Sequence, residues 1–244
     1  MERAKFRLIA GFFALLTITA SASTPETKIY NAYISGNMAQ WKSVIDSMQM
    51  HKPLMDHERL ELLNFQYGYI GWLLGNKRKK EATDYLSKAQ KNRQLLENEN
   101  YHLSTLLAYR AAFIGFEVAL KPIRAPFTGP KAHEYIAKAA QLNNQDYFVY
   151  LQEANIAQHT PDILGGSAAD AIRYFEKAIG LYREQKRPLK SWNFLNLYSQ
   201  LILACIEDKD YAKATACCHK ILRIEPGFSW IKNAVLPELQ SGAN

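Results

Sequence analysis

The sequence predicts an all-α protein built as a stack of antiparallel helix hairpins, and three observations carry that prediction. A small residue, a bulky residue four positions on and a further core residue three beyond that recur four times: Ala82, Leu86, Ala89; Ala132, Ile136, Ala139; Ala171, Phe175, Ala178; and Ala214, Cys218, Ile221. Offsets of four and three place each trio on one helix stripe, with the small side chains where a second helix must come close. The copies follow one another at intervals of 50, 39 and 43 residues, as expected when one hairpin cannot bury its apolar face until a neighbour covers it. Glycine and proline fall between the periodic segments, where helix ends belong, and no useful length alternates as a half-buried strand does.

The chain opens with a basic stretch (Arg3, Lys5, Arg7), an apolar stretch from Leu8 to Ala20 and the small residues Ala20, Ser21 and Ala22. That order predicts an export signal over 1–22, cleaved after Ala22, and a periplasmic protein. A retained anchor is the alternative, although an apolar run of about 13 residues falls short of the roughly 20 that span a bilayer. No later segment reads as long and apolar enough to span a membrane. Losing three cations and Glu2 takes the formal charge from +7 to +5. With no nucleic-acid-reading motif, that mild excess is read as surface solvation or attraction to an acidic partner, and nucleic acid is not expected.

The mature region, 23–244, reads as one domain without a linker. Gly36 and Asn37 divide a degenerate first hairpin over 26–50. Repeats follow at about 57–98, 101–142, 145–184 and 190–226, and an amphipathic helix over 228–241, interrupted near Pro237, shields the open end. Pro122, Pro126 and Pro130 are expected to exclude a continuous helix between them. Thr160, Pro161, Gly165 and Gly166 mark a turn before the third stripe. The glycine pair could present N–H groups to an anion, but is better read as a tight turn.

Tyr198, Leu201, Cys205, Tyr211, Ala214, Cys218, Ile221 and Pro226, closing on Ile224-Glu225-Pro226, resemble the tetratricopeptide repeat. Ile202 stands where that family prefers glycine or alanine. Tyr67, Ile70, Gly71, Leu74, Ala82, Leu86 and Ala89 look like a second copy, one residue short in its turn. Residues 161–178 are similar to a turn and helix common in exported bacterial members, some of which accompany periplasmic solute-binding proteins. The resemblance implies a right-handed superhelix, a tetratricopeptide-like α-solenoid, whose first helices line a concave face that binds a protein or peptide. Groove-facing positions transferred from the family are Phe65, Gly68 and Trp72 in one repeat and Asn196, Ser199 and Leu203 in another. An accessory subunit of a solute-binding or transport system is the second binding reading.

Chemistry is sparse. The histidines lack the spacing of metal ligands on a helix face, and phosphate-binding, dinucleotide and nucleophile-elbow motifs are missing. No cofactor or metal is expected, and the chain is not read as an enzyme; the rival is an unrecognised site using His159. Cys205 and Cys218 face each other across one hairpin, but helix axes 8–10 Å apart disfavour a disulfide, so buried thiols are expected, with Cys217 the most reactive. Lys77, Arg78, Lys79 and Lys80 form a solvated turn or an acidic-partner patch.

Overall fold

The computed structural model describes residues 23–51 and 53–241, so the export signal expected over 1–22 lies outside the described residues. Among those residues the chain is all helical. Five hairpins follow one another: α1 (Pro25–Ser35) with α2 (Met38–Met50), α3 (Asp56–Gly75) with α4 (Lys79–Asn98), α5 (Leu103–Leu120) with α6 (Ala125–Leu142), α7 (Tyr147–His159) with α8 (Ala168–Glu184), and α9 (Trp192–Glu207) with α10 (Tyr211–Ile224). A π-helical turn, Ile231–Val235, leads into a last helix, α11 (Leu236–Ser241).

Local sequence sets most of these boundaries. Side-chain oxygens of Thr24, Asn37, Asp146, Ser167, Ser191 and Asp210 accept from backbone N–H groups in the first turn of α1, α2, α7, α8, α9 and α10, satisfying donors that a helix start leaves orphaned. Gly36 ends α1 at φ 73°, a left-handed position that a Cβ disfavours. All twelve residues of the four stripes are buried, from 0 to 6 % exposed. Each stripe therefore works as the sequence requires: alanines admit the neighbouring helix, and Leu86, Ile136, Phe175, Cys218 and Ile221 fill the space between.

The proline-rich segment departs from expectation. Pro122–Arg124 makes one 3-10 turn, and α6 then starts at Ala125, with Pro126 in its first turn and Pro130 inside the helix. The first turn needs no donor from Pro126, so only Pro130 forfeits an intrahelical hydrogen bond. A second departure concerns α5, whose 18 residues reach a mean hydropathy of 1.4, enough by length and composition to cross a membrane. In the fold α5 packs against α4, α6 and α7, buries Leu106, Tyr109 and Phe113, and donates from Ser104 Oγ to the Ala139 carbonyl at 2.9 Å.

The glycine pair is a turn. Gly165 lies at φ 93°, and a Cβ on Gly166 would fall 1.7 Å from the Thr160 carbonyl oxygen. Their N–H groups donate to Asp162 and Pro161 carbonyls, so both are consumed within the turn.

Candidate functional site

The first helices are expected to line an open concave face. Side chains of the same molecule fill it instead, because α1 reaches across the stack to α9. The Trp41 and Trp192 rings meet edge to face at 5.1 Å, and Tyr33 packs against both at 5.9 and 6.2 Å and against Phe228 at 5.2 Å. A Cβ on Gly68 would lie 2.8 Å from Trp41 and 2.9 Å from Trp192, so glycine is what admits the two indoles.

The polar atoms of this interior are paired within the chain. Trp41 Nε1 donates to the Phe65 carbonyl at 3.0 Å, and Trp192 Nε1 donates to Asn64 Oδ1 at 3.0 Å. Asn64 and Asn193 exchange amide hydrogen bonds at 3.1 Å each way, and Asn64 also donates to Tyr109. Farther along, the Tyr67 hydroxyl accepts from Gln152 at 3.1 Å and Asn155 at 3.2 Å, and its ring stacks on Phe116. At the other end Tyr30 donates to Glu225 at 2.6 Å. Burial pushes the Tyr33 phenol up to about 12 and raises Tyr67 and Tyr109, so all three stay neutral hydrogen-bonding groups.

Most of the transferred groove positions fall on this interior. Phe65 is buried beside Trp41, and Ser199 is buried, donating to the Leu195 carbonyl and accepting from Tyr33 at 3.2 Å. Asn196 accepts from the same phenol at 3.4 Å, and Gly68 holds the indole contact. Trp72 is half-buried, stacked on Tyr69 at 5.7 Å with the Arg78 guanidinium 5.2 Å from its ring. Of the named side chains Leu203, at 39 % exposed, remains most open. Phe65, Gly68, Asn196 and Ser199 thus meet around Tyr33, Trp41 and Trp192, whereas Trp72 packs on Tyr69.

Among the described residues no group of three or more His, Cys, Asp or Glu side chains could hold a metal ion. Desolvation lowers the His159 pKa although the residue keeps exposed surface, and Glu207, which acts against that shift, accepts from Gln158 at 2.9 Å. All three cysteines are free thiols and buried. Burial pushes Cys205 up to about 12 and Cys218 to about 11, and raises Cys217 as well, so Cys217 is not set apart as an activated thiol. The most perturbed carboxyl is Glu61 on α3, pushed up to about 8 by burial and then by Glu26 of α1, with its Oε1 buried and unpaired.

The open apolar surface lies elsewhere. Ile123, in the turn joining α5 to α6, and Phe127, in the first turn of α6, are 83 and 79 % exposed; Ile163 and Leu164, in the turn joining α7 to α8, are 93 and 68 % exposed. Because α5 and α7 pack side by side as successive first helices, the turns that follow them share one edge of the stack. Lys121 and Arg124 are exposed within the first of these turns, and Lys77, Arg78, Lys79 and Lys80 are exposed at the equivalent turn after α3. At the same ends of these helices, α9 is tied to α7 by the Gln158–Glu207 hydrogen bond. The sequence held a signal for this edge: bulky apolar residues inside proline- and glycine-marked turns, where packing does not call for them.

The fold has a counterpart among solved structures. The HusA haemophore from Porphyromonas gingivalis aligns with a TM-score of 0.57 over 75 % of this chain and 94 % of its own, at 16 % identity. That likeness concerns the fold alone. No family model and no curated protein matches the sequence.

Proposed function

We propose that this chain is an exported, non-catalytic binding protein of tetratricopeptide-like build, periplasmic, that takes a protein or peptide partner on the edge carrying the α5–α6 and α7–α8 turns. The observation that supports this most directly is the exposure of Ile123, Phe127, Ile163 and Leu164 on adjacent turns. Bulky apolar side chains gathered at one edge suit an interaction site, whereas singly scattered ones need no such explanation. Lys121 and Arg124, with the cations at 77–80, suit a partner whose contact surface is rimmed by carboxylates.

The test is capture from the cell envelope of the source organism by the immobilised mature chain, against the Phe127→Asp/Ile163→Asp variant. The expected outcome is a protein retained by the native chain and lost from the variant, with both chains equally helical. Equal capture by the two would remove this edge as the docking site.

A second reading is favoured by one observation, the fold shared with a protein described as a haemophore. Here the same edge would hold haem, its flat apolar face against Phe127 and Ile163 and its carboxylates near Lys121 and Arg124. Titration with haem decides it: a saturable shift of the haem absorption band with the native chain, abolished in the same variant, supports haem, and no shift removes it.

A further inference from the structure

Three of the five methionines in the sequence, Met48, Met50 and Met55, fall within eight residues, with His51 between them and His57 just beyond. They occupy the corner where α2 ends and α3 begins. Met48 packs against the hydrophobic core. Met50, the last residue of α2, is 82 % exposed, and Met55, which precedes α3, is 59 % exposed. Thioethers ordinarily fill irregular gaps in cores; here two stand in water five residues apart.

The histidine between them is held in a ligand's orientation. His51 Nδ1 lies 2.7 Å from the Ser47 carbonyl oxygen. A carbonyl can only accept, so Nδ1 carries the proton and the Nε2 lone pair points away from the helix. Anchoring one ring nitrogen on a backbone carbonyl is the usual way a protein aims the other at a metal. Met50 and His51 also border one concavity of about 520 Å3 on the outer face of α2, together with Ser47, Asp46 and Lys42. His57 is exposed in the first turn of α3.

The oxygen ligands nearby are committed. Asp46 accepts from Lys42 at 2.5 Å and from Tyr85 at 2.6 Å, and Glu58 accepts from the Met55 backbone N–H at 2.9 Å. Asp56 remains, a single hard donor. Magnesium and calcium need several oxygens, and structural zinc prefers thiolates and several imidazoles. Two thioethers and one aimed imidazole nitrogen form a neutral, soft set that suits a soft monovalent cation satisfied by two or three ligands.

We propose that the α2–α3 corner is a binding site for Cu(I), with Met50 Sδ, His51 Nε2 and Met55 Sδ as ligands and His57 as the adjacent fourth donor. The site is independent of the turn edge, on other hairpins, and does not rest on the partner proposed for it.

The three thiols of α9 and α10 could also take up Cu(I), so the experiment must report position. The mature chain, labelled with 13C at its methionine methyl groups, is titrated anaerobically with Cu(I). The Met50 and Met55 methyl resonances should shift together at the first equivalent, while core-packed Met48 stays in place. Competition with a chromogenic Cu(I) chelator should show affinity falling at least about tenfold in Met50→Leu/Met55→Leu and also in His51→Gln, with helical content unchanged. Uptake without movement of those methyl resonances, or an affinity unaltered in the double variant, would overturn the proposal. Zn(II) in the same titration should leave the methyl resonances in place; an equal response to Zn(II) would overturn the assignment to a soft cation.

Discussion

Two aromatic- and aliphatic-rich regions of this molecule have opposite fates. On the inner side Tyr33, Trp41, Trp192 and Phe228 bury one another, and the Trp41 and Trp192 N–H groups find partners on α3. On the turn edge Ile123, Phe127, Ile163 and Leu164 face water. Composition does not separate them, since both are rich in bulky apolar side chains, the first drawn from the first and fifth hairpins and the segment after α10, the second from the third and fourth hairpins. What separates them is closure: α1 meets α9 and brings the inner faces together, whereas nothing in the described chain covers the turns. A helical-repeat stack is usually read as offering its concave face, but here aromatic side chains of the same chain pack into that face, and the exposed bulky apolar side chains of these turns lie at the edge.

The largest expected effect tests the closed side. Trp192→Ala removes the indole that touches Trp41, Tyr33 and Asn64, and should cost about 3–5 kcal/mol of stability by denaturant unfolding. A loss below about 1 kcal/mol would mean that the ends of the stack are not docked and that the inner face is open. Gly68→Ala places a Cβ within 3 Å of both indoles and should cost about 1–3 kcal/mol through overpacking. Its effect should largely vanish in a Trp192→Ala background, because the two changes act on one contact.

Next comes Glu61, whose carboxyl faces Glu26 across α1 and α3. Its folded-state pKa, about 8, lies above the ordinary 4.5, so the native state binds the proton more tightly than the unfolded chain. Stability from this group is therefore intact below about pH 4.5 and is lost as the pH rises towards 8. Glu61→Gln should flatten that decline and raise the melting temperature at pH 8, by roughly 2–4 °C for each kcal/mol of repulsion relieved, with little change at pH 4. An unchanged pH profile would show that the α1–α3 carboxyls do not interact.

The smallest stability effect belongs to the edge. Phe127→Asp/Ile163→Asp should stay within about 0.5 kcal/mol of the native chain per site, because neither side chain is packed, while removing partner binding. A large destabilisation would show that these turns are part of the core, and the contrast between the two regions would collapse.

Much of the fold was legible because helix stripes, caps and turn residues are local. The spacing of Ala171, Phe175 and Ala178 states a buried helix face whatever lies opposite, and Gly165 and Gly166 before it mark the turn from which that helix departs. The proline segment misled because Pro126 and Pro130 fall at positions where a helix tolerates one missing donor and survives a second. Phe65, Ser199 and Asn196 show what spacing leaves out: the positions could be named from the repeat, but not that Tyr33 and Trp41 of the first hairpin would pair with them.

The sequence by itself determined the hairpins, their number, their buried stripes and the glycine-bound turn before α8, since each depends on contacts within a few helical turns or on one residue's allowed backbone angles. The tertiary structure alone decided that the first hairpin folds onto the fifth. That choice rests on contacts between residues more than 120 positions apart, such as Tyr30 with Glu225 and Asn64 with Trp192. No periodicity encodes them, because small rotations between successive hairpins add up along the stack before the two ends either meet or miss.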